Sequence, residues 1–257
     1  MLSIGDDTIH LVDVVPSSLV GKSWEGGDNP AHDTFRSSMI VYTAALPNKD
    51  CQQYIDRVYP SMRYMLSPMC MRSFGASRYH IVKRGYAIDN GAYGYYLRKQ
   101  PFNDKAFYKV LDEWSIGADW VAIPDKVGDW YTTLSNLNIW LPRLEGYGCA
   151  LLVVVQDGCE LDNYTELMNV LSDNRIAGIF VGGTTEWKLS NLNTLSMLCH
   201  SVDKTIHVGR VNSGKRIRLC HSANVDSVDG SGMSRFRETT RIVCDTIVEL
   251  NNQMTLF

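Results

Sequence analysis

The chain has 257 residues, 45% hydrophobic and 21% charged, which is enough to bury a large core and too apolar for a disordered chain. Its formal net charge of -3 supplies no global field for a polyanion, so a nucleic-acid partner would have to be held by a local basic patch. No run approaches the roughly 18 apolar residues of a membrane span, and Asp6 and Asp7 stand where a signal peptide carries basic residues, so a cytoplasmic protein with no membrane partner is expected.

Residues 1–35 carry scattered apolar positions and a polar Gly/Asp/Pro segment, read as a short strand near Ile9 to Val15 and then a loop. The first strong strand starts at Met39, and a helical pattern through Cys51, Ile55 and Val58 ends at Pro60. Strand starts recur at Met62, Tyr86, Trp120, Ala150, Gly178, Thr205 and Asn224, mostly separated by helical spacings. Asn103 should cap a helix over Phe107, Val110, Leu111 and Trp114, and further helices run through Leu134 to Leu141, Leu161 to Leu171, Trp187 to Leu195, Lys215 to His221 and Arg235 to Leu250. The run from Ala150 to Asp157 is the most apolar, as expected for a strand covered on both faces.

Eight such units make an α/β fold of the (β/α)8 TIM-like barrel type, in a single domain over residues 1–257; a doubly wound open sheet is the alternative. A barrel places its chemistry at the C-terminal ends of the strands, and there the polar residues fall: Asp89, Asp125, Gln156, Gly182, Gly183, His207 and Asp226. An aspartate before glycine is also ordinary turn chemistry, but turns place such residues at both strand ends and do not concentrate them at one. Carboxylates, an amide side chain and Gly-Gly backbone amides suit a planar heterocycle, with one carboxylate free to attack a sugar and another to move a proton.

Seven cysteines, Cys51, Cys70, Cys149, Cys159, Cys199, Cys220 and Cys244, form no C-x-x-C and are expected to be reduced. The adjacent pairs Cys199-His200 and Cys220-His221 lack the spacing of zinc ligands, so neither a metal nor a cofactor is expected.

The ordered segments DNGAYG (89–94), IPDKVGD (123–129), VVVQDG (153–158), FVGG (180–183), HVGR (207–210) and VDSVDGS (225–231) resemble the tRNA-guanine transglycosylase superfamily. Their similarity is greatest to its DNA-modifying, DpdA-type branch. That resemblance implies replacement of guanine in DNA by a free 7-deazaguanine base. Asp226 would be the nucleophile, with Asp229 in reserve, and Asp89 the general acid/base. Asn90, Asp125, Gln156, Gly182 and Gly183 would hold the base. The chain departs from the family in reading Asp-Asn-Gly-Ala-Tyr-Gly for Asp-Ser-Gly-Gly-Phe-Gln, in lacking the zinc motif and its subdomain, and in carrying no RNA-binding appendage after Phe257. These departures favour DNA over tRNA.

Tyr93 or Tyr95 would stack on the base and His207 line its pocket, although a packing tyrosine and a structural histidine fit the sequence equally. Arg210, Lys215, Arg216 and Arg218, with Arg235, Arg72, Arg78, Lys83, Arg84 and Lys126 near other strand ends, would face the phosphate backbone. A homo-oligomer or partner protein is compatible with the sequence. Two rival readings are a barrel acting on a phosphorylated metabolite, with FVGGT (180–184) and HVGR (207–210) as its phosphate cradle, and a non-catalytic nucleic-acid-binding paralogue.

Overall fold

A computed structural model describes residues 38–45, 47–69 and 78–254. The strand expected near Ile9 to Val15, and Arg72, lie outside the described residues. Eight parallel strands close into a barrel in sequence order, β1 (Ile40–Ala44), β2 (Arg63–Leu66), β3 (Tyr86–Ile88), β4 (Val121–Ala122), β5 (Leu151–Val155), β6 (Ile176–Val181), β7 (Thr205–Val208) and β8 (Ser227–Gly230). Closure is made by β8 pairing β1, with Tyr42 opposite Asp229. The open-sheet alternative is therefore excluded.

The connecting helices are α1 (Lys49–Val58), α2 (Arg78–Arg84), α3 (Ala92–Leu97), α4 (Asp104–Trp114), α5 (Trp130–Leu144), α6 (Thr165–Leu171), α7 (Thr185–Ser201), α8 (Gly214–Ser222), α9 (Gly232–Arg235) and α10 (Arg237–Met254). Their starts follow the local chemistry. Asn48, Asn103, Asp129, Thr184 and Ser213 each cap a helix by accepting a hydrogen bond from a first-turn amide, which satisfies a donor the helix itself cannot.

Strand alternation sorts the core into two layers. Tyr42, Met65, Ala87, Trp120, Ala122, Leu152 and Val154 fill the barrel interior, while Val41, Leu66, Ile88, Val121, Val153, Val155, Ile179 and Val181 pack outward against the helices. This explains why all five residues of β5 are buried. At the N-terminal end the interior is sealed by Asp119, whose carboxylate accepts from Tyr42 Oη at 2.9 Å and pairs with Arg63 at 2.8 Å. The C-terminal rim carries the remaining polar groups.

Three sequence expectations differ from the structure. Helices α2 and α3 were not foreseen: α2 follows residues 70–77, and α3 begins directly after a glycine-rich strand end that reads as a loop. Helix α6 covers only the second half of Leu161 to Leu171. The last strand begins at Ser227 rather than Asn224, because Asn224 has a left-handed φ of 58° and closes the turn after α8. That three-residue shift decides where its aspartates fall.

Candidate functional site

Asp226 precedes β8 and therefore lies at the N-terminal end of the barrel. Its carboxylate accepts from Ile206 N at 2.8 Å and lies 3.1 Å from His200 Nε2, so it pins the entry of β8 to that of β7. The structure does not bring it together with Asp89, Asp125 and Gln156. The reserve residue Asp229 is the acid of β8 that reaches the rim.

Asp229 is held from two sides. Its Oδ1 accepts from the Arg210 backbone amide at 3.2 Å and lies 3.2 Å from His207 Nε2. His207 is fully buried, its ring centroid 4.6 Å from that of Trp120, 4.7 Å from Phe180 and 5.7 Å from Tyr42. Burial lowers its pKa, so the ring is neutral near pH 7. Nε2 then carries the proton toward the carboxylate, and Nδ1 accepts from Ser227 Oγ at 2.9 Å. The histidine is thus a support beneath the rim and not a wall of an open pocket.

Asp89 follows β3 directly and is raised to about 7, first by burial and then by the charges of Asp229 and Asp125. The Gly91 amide and Ser67 hydroxyl oppose that rise by bonding the ionised form. Asp125, in the loop after β4, is raised to about 6 by burial, against hydrogen bonds from Asn90 and Gln156 and the charge of Arg210. Three carboxyl groups that influence one another thus stand on one rim, with two titrating close to neutrality.

The amide side chains assigned to base recognition are already occupied. Asn90 donates to Asp125 Oδ1 at 2.9 Å and to Ile123 O at 2.8 Å, and its Oδ1 accepts from Ala92 N at 2.7 Å. Gln156 donates to Asp125 Oδ2 at 2.5 Å, while its Oε1 accepts from Gly183 N at 2.9 Å and Gly128 N at 3.2 Å. Both are buried, and both hold Asp125 in place.

The glycines serve the same clasp. A Cβ on Gly182 would come within 2.8 Å of Gln156 Nε2, and Gly183 combines a φ of +58° with a Cβ position 2.6 Å from the Trp187 ring. The backbone amides proposed as a phosphate cradle are spent. Gly182 N donates to Val155 O, Gly183 N to Gln156, Thr184 N to Asp157 and Gly209 N to Val181 O. Arg210 N is taken by Asp229.

The basic residues do not form one patch. Arg210 has a left-handed φ of 62°, donates to Gly183 O, and sets its guanidinium 4.4 Å from the ring centroid of Tyr93. Since β3 and β7 face each other across the closed barrel, this contact spans the rim. Tyr93 also stacks on Tyr96 at 6.4 Å, whereas Tyr95 is buried against Phe102. Lys215 is exposed, Arg216 faces α7, and Arg218 pairs with Glu249 at 2.8 Å. Arg235 lines a separate open groove with Lys49 and Phe236, and Arg78 is drawn onto Trp114.

Sequence reading missed Lys188. It is 5% exposed, its Nζ donates to Gly209 O at 2.5 Å, and burial together with Arg210 pushes its pKa down to about 8. A signal was present: residues 188, 192, 195 and 199 have helical spacing, which puts a lysine on the apolar face of α7. Among the described residues no group of three His, Cys, Asp or Glu side chains is placed to hold a metal ion, and no helix is long and apolar enough to cross a membrane.

No family model matches the sequence, and no curated protein matches it. Solved structures match the fold. The YdjI aldolase from Escherichia coli K12 superposes with a TM-score of 0.52 at 9% identity, covering 86% of this chain and 91% of its own. A structure described as native KDPGal gives 0.50 at 8% identity, covering 87% and 98%, and dihydrodipicolinate synthase from Bacillus clausii gives 0.50 at 10%, covering 84% and 76%. At such identities the likeness establishes the barrel alone. The resemblance drawn from the sequence is nonetheless corrected: these three matches are named as an aldolase, a KDPGal structure and a synthase, none of them a tRNA-guanine transglycosylase, and the residue matched to the nucleophile, Asp226, stands at the opposite end of the barrel. The reading as a DNA base-exchange enzyme is withdrawn.

Proposed function

We propose that the protein is an enzyme that moves protons on a small phosphorylated carbonyl compound, in the manner of an aldolase or synthase. The observation that carries this is the pairing of Asp89, raised to about 7, with Asp229, which is oriented by His207 and the Arg210 amide. A carboxyl group titrating near the working pH exchanges protons most effectively, because both of its forms are populated.

In the cleavage direction, Asp229 takes the proton from a hydroxyl group β to the carbonyl. The electrons of that O–H bond form the new C=O, and the adjacent C–C bond breaks toward the carbonyl to give an enolate. Protonated Asp89 then supplies a proton to the enolate carbon. Asp229 then releases its proton to solvent and Asp89 takes one up, which restores both groups, and condensation is the same path reversed. Arg210, whose charge already acts on Asp125, offsets the negative charge that develops on the enolate oxygen. The neighbouring Asn90 and Gln156 keep Asp125 fixed as these charges move.

The test is proton exchange in D2O. A panel of phosphorylated aldoses, ketoses and 2-oxo acids is incubated with the protein, and loss of the proton α to the carbonyl is followed by NMR. Exchange or cleavage of one class, lost in Asp89→Asn and Asp229→Asn, is the expected result. Exchange at the parent rate in both variants would refute the assignment.

A further inference from the structure

We infer that a cleft between α7 and α8, lined by Lys188, Arg210, Arg216 and Thr185, is the subsite for the phosphate group of the substrate. This inference deepens the acid-base reading and rests on it for the ligand's identity as substrate. Its starting point is a conflict: a phosphorylated ligand needs donors at the rim, and the amides of residues 182–184, 209 and 210 are engaged elsewhere. The donors that remain belong to cationic side chains.

Lys188 is nineteen-twentieths buried, yet among the described residues it donates one hydrogen bond, to Gly209 O, although an ammonium has three N–H groups. Arg210 and Arg216 both repel it electrostatically, and Asp229 acts in the other direction. Among the described residues no acidic side chain lines the cleft; its other walls are Leu189, Leu192, Val208, Val211 and Cys220. Cations gathered against apolar walls stabilise a fold poorly by themselves, whereas a bound oxyanion would convert their repulsion into paired, charge-assisted hydrogen bonds.

Helix polarity adds to this. The cleft reaches Thr185 at the start of the 17-residue α7 and Arg216 in the first turn of the 9-residue α8, so the positive ends of both helices border it. Its enclosed volume is about 10 Å³, room for one water-sized group, so a single phosphate oxygen enters it and the rest of the group stays at its mouth. Arg210 belongs to both places, since its backbone bonds Asp229 while its side chain lines the cleft.

The experiment is thermal unfolding of the full chain with sodium phosphate, glycerol phosphate, sodium acetate or sodium chloride at matched ionic strength. Phosphate and glycerol phosphate should each raise Tm by about 3 °C at roughly ten times their Kd. Acetate and chloride should not. Both gains should persist in Asp89→Asn, which separates this site from the acid-base reading, and should disappear in Arg216→Gln and in Lys188→Met. Arg216 is only partly buried, so its variant folds even if Lys188→Met does not. Equal shifts with all four salts, retention of the phosphate shift in Arg216→Gln, or a response to inorganic phosphate without one to glycerol phosphate would each overturn the proposal.

Discussion

His207 Nε2 lies 3.2 Å from Asp229 Oδ1, and the same imidazole receives a hydrogen bond from Ser227 on the other side, at 2.9 Å. Ser227 and Asp229 alternate on β8, both pointing inward toward β7, so one ring bridges two rungs of a single strand. The carboxylate is fixed before any substrate arrives.

Replacing His207 with Leu should therefore slow proton exchange while leaving substrate affinity nearly unchanged. About tenfold is expected for each ~1.4 kcal/mol of lost orientation. Ser227→Ala should show a smaller loss of the same kind. Separate measurement of kcat and KM checks this, and a loss confined to KM would refute the orienting role.

Asp89 and Asp125 are held at about 7 and about 6, above the ordinary 3.8. Between about pH 4 and 7 these two groups therefore bind more protons in the folded chain than in the unfolded chain, and their contribution to stability falls as pH rises through that window. Asp89→Asn removes the larger contribution. It should flatten the decline and raise stability at pH 8 by on the order of 1–2 kcal/mol. Urea midpoints at pH 4.5, 6 and 8 test this, and an unchanged slope would count against it.

Asp226→Ala should leave catalysis intact, because the side chain works at the opposite end of the barrel. Its cost is in stability, about 1 kcal/mol for the hydrogen bond to Ile206 N. A variant that is folded but inactive would contradict the geometry.

Gln156→Ala strands the amides of Gly128 and Gly183 and removes a hydrogen bond from Asp125. A cost of roughly 1–3 kcal/mol is expected for each buried group left without a partner. The pKa of Asp125 should also rise, since the lost bond favoured its ionised form. Carboxyl titration by NMR reads the second effect directly.

The barrel was legible because its signal is periodic and repeated: each of the eight expected strand starts lies within three residues of an observed one. The rim residues Asp89, Asp125 and Gln156 followed from that periodicity. The misplacement of Asp226 has a local cause, since the apolar run NVDSV extends an alternation backward into a turn whose left-handed Asn224 only the backbone reveals. What Asn90 and Gln156 do was equally hidden, because a polar side chain's partner is a matter of tertiary approach, and both spend their hydrogen bonds on Asp125 and on neighbouring loops. Lys188 was overlooked because a charge within a helix reads as solvated unless its place on the apolar face is tested.

The carboxamide of Gln156 joins the segments that follow β4, β5 and β6 through Gly128, Asp125 and Gly183. A lengthened loop at any of those three places would tear the knot they share. Descendants of this chain that acquire new substrates should therefore do so by remodelling other parts of the entrance, leaving this third of the circumference inherited as a block.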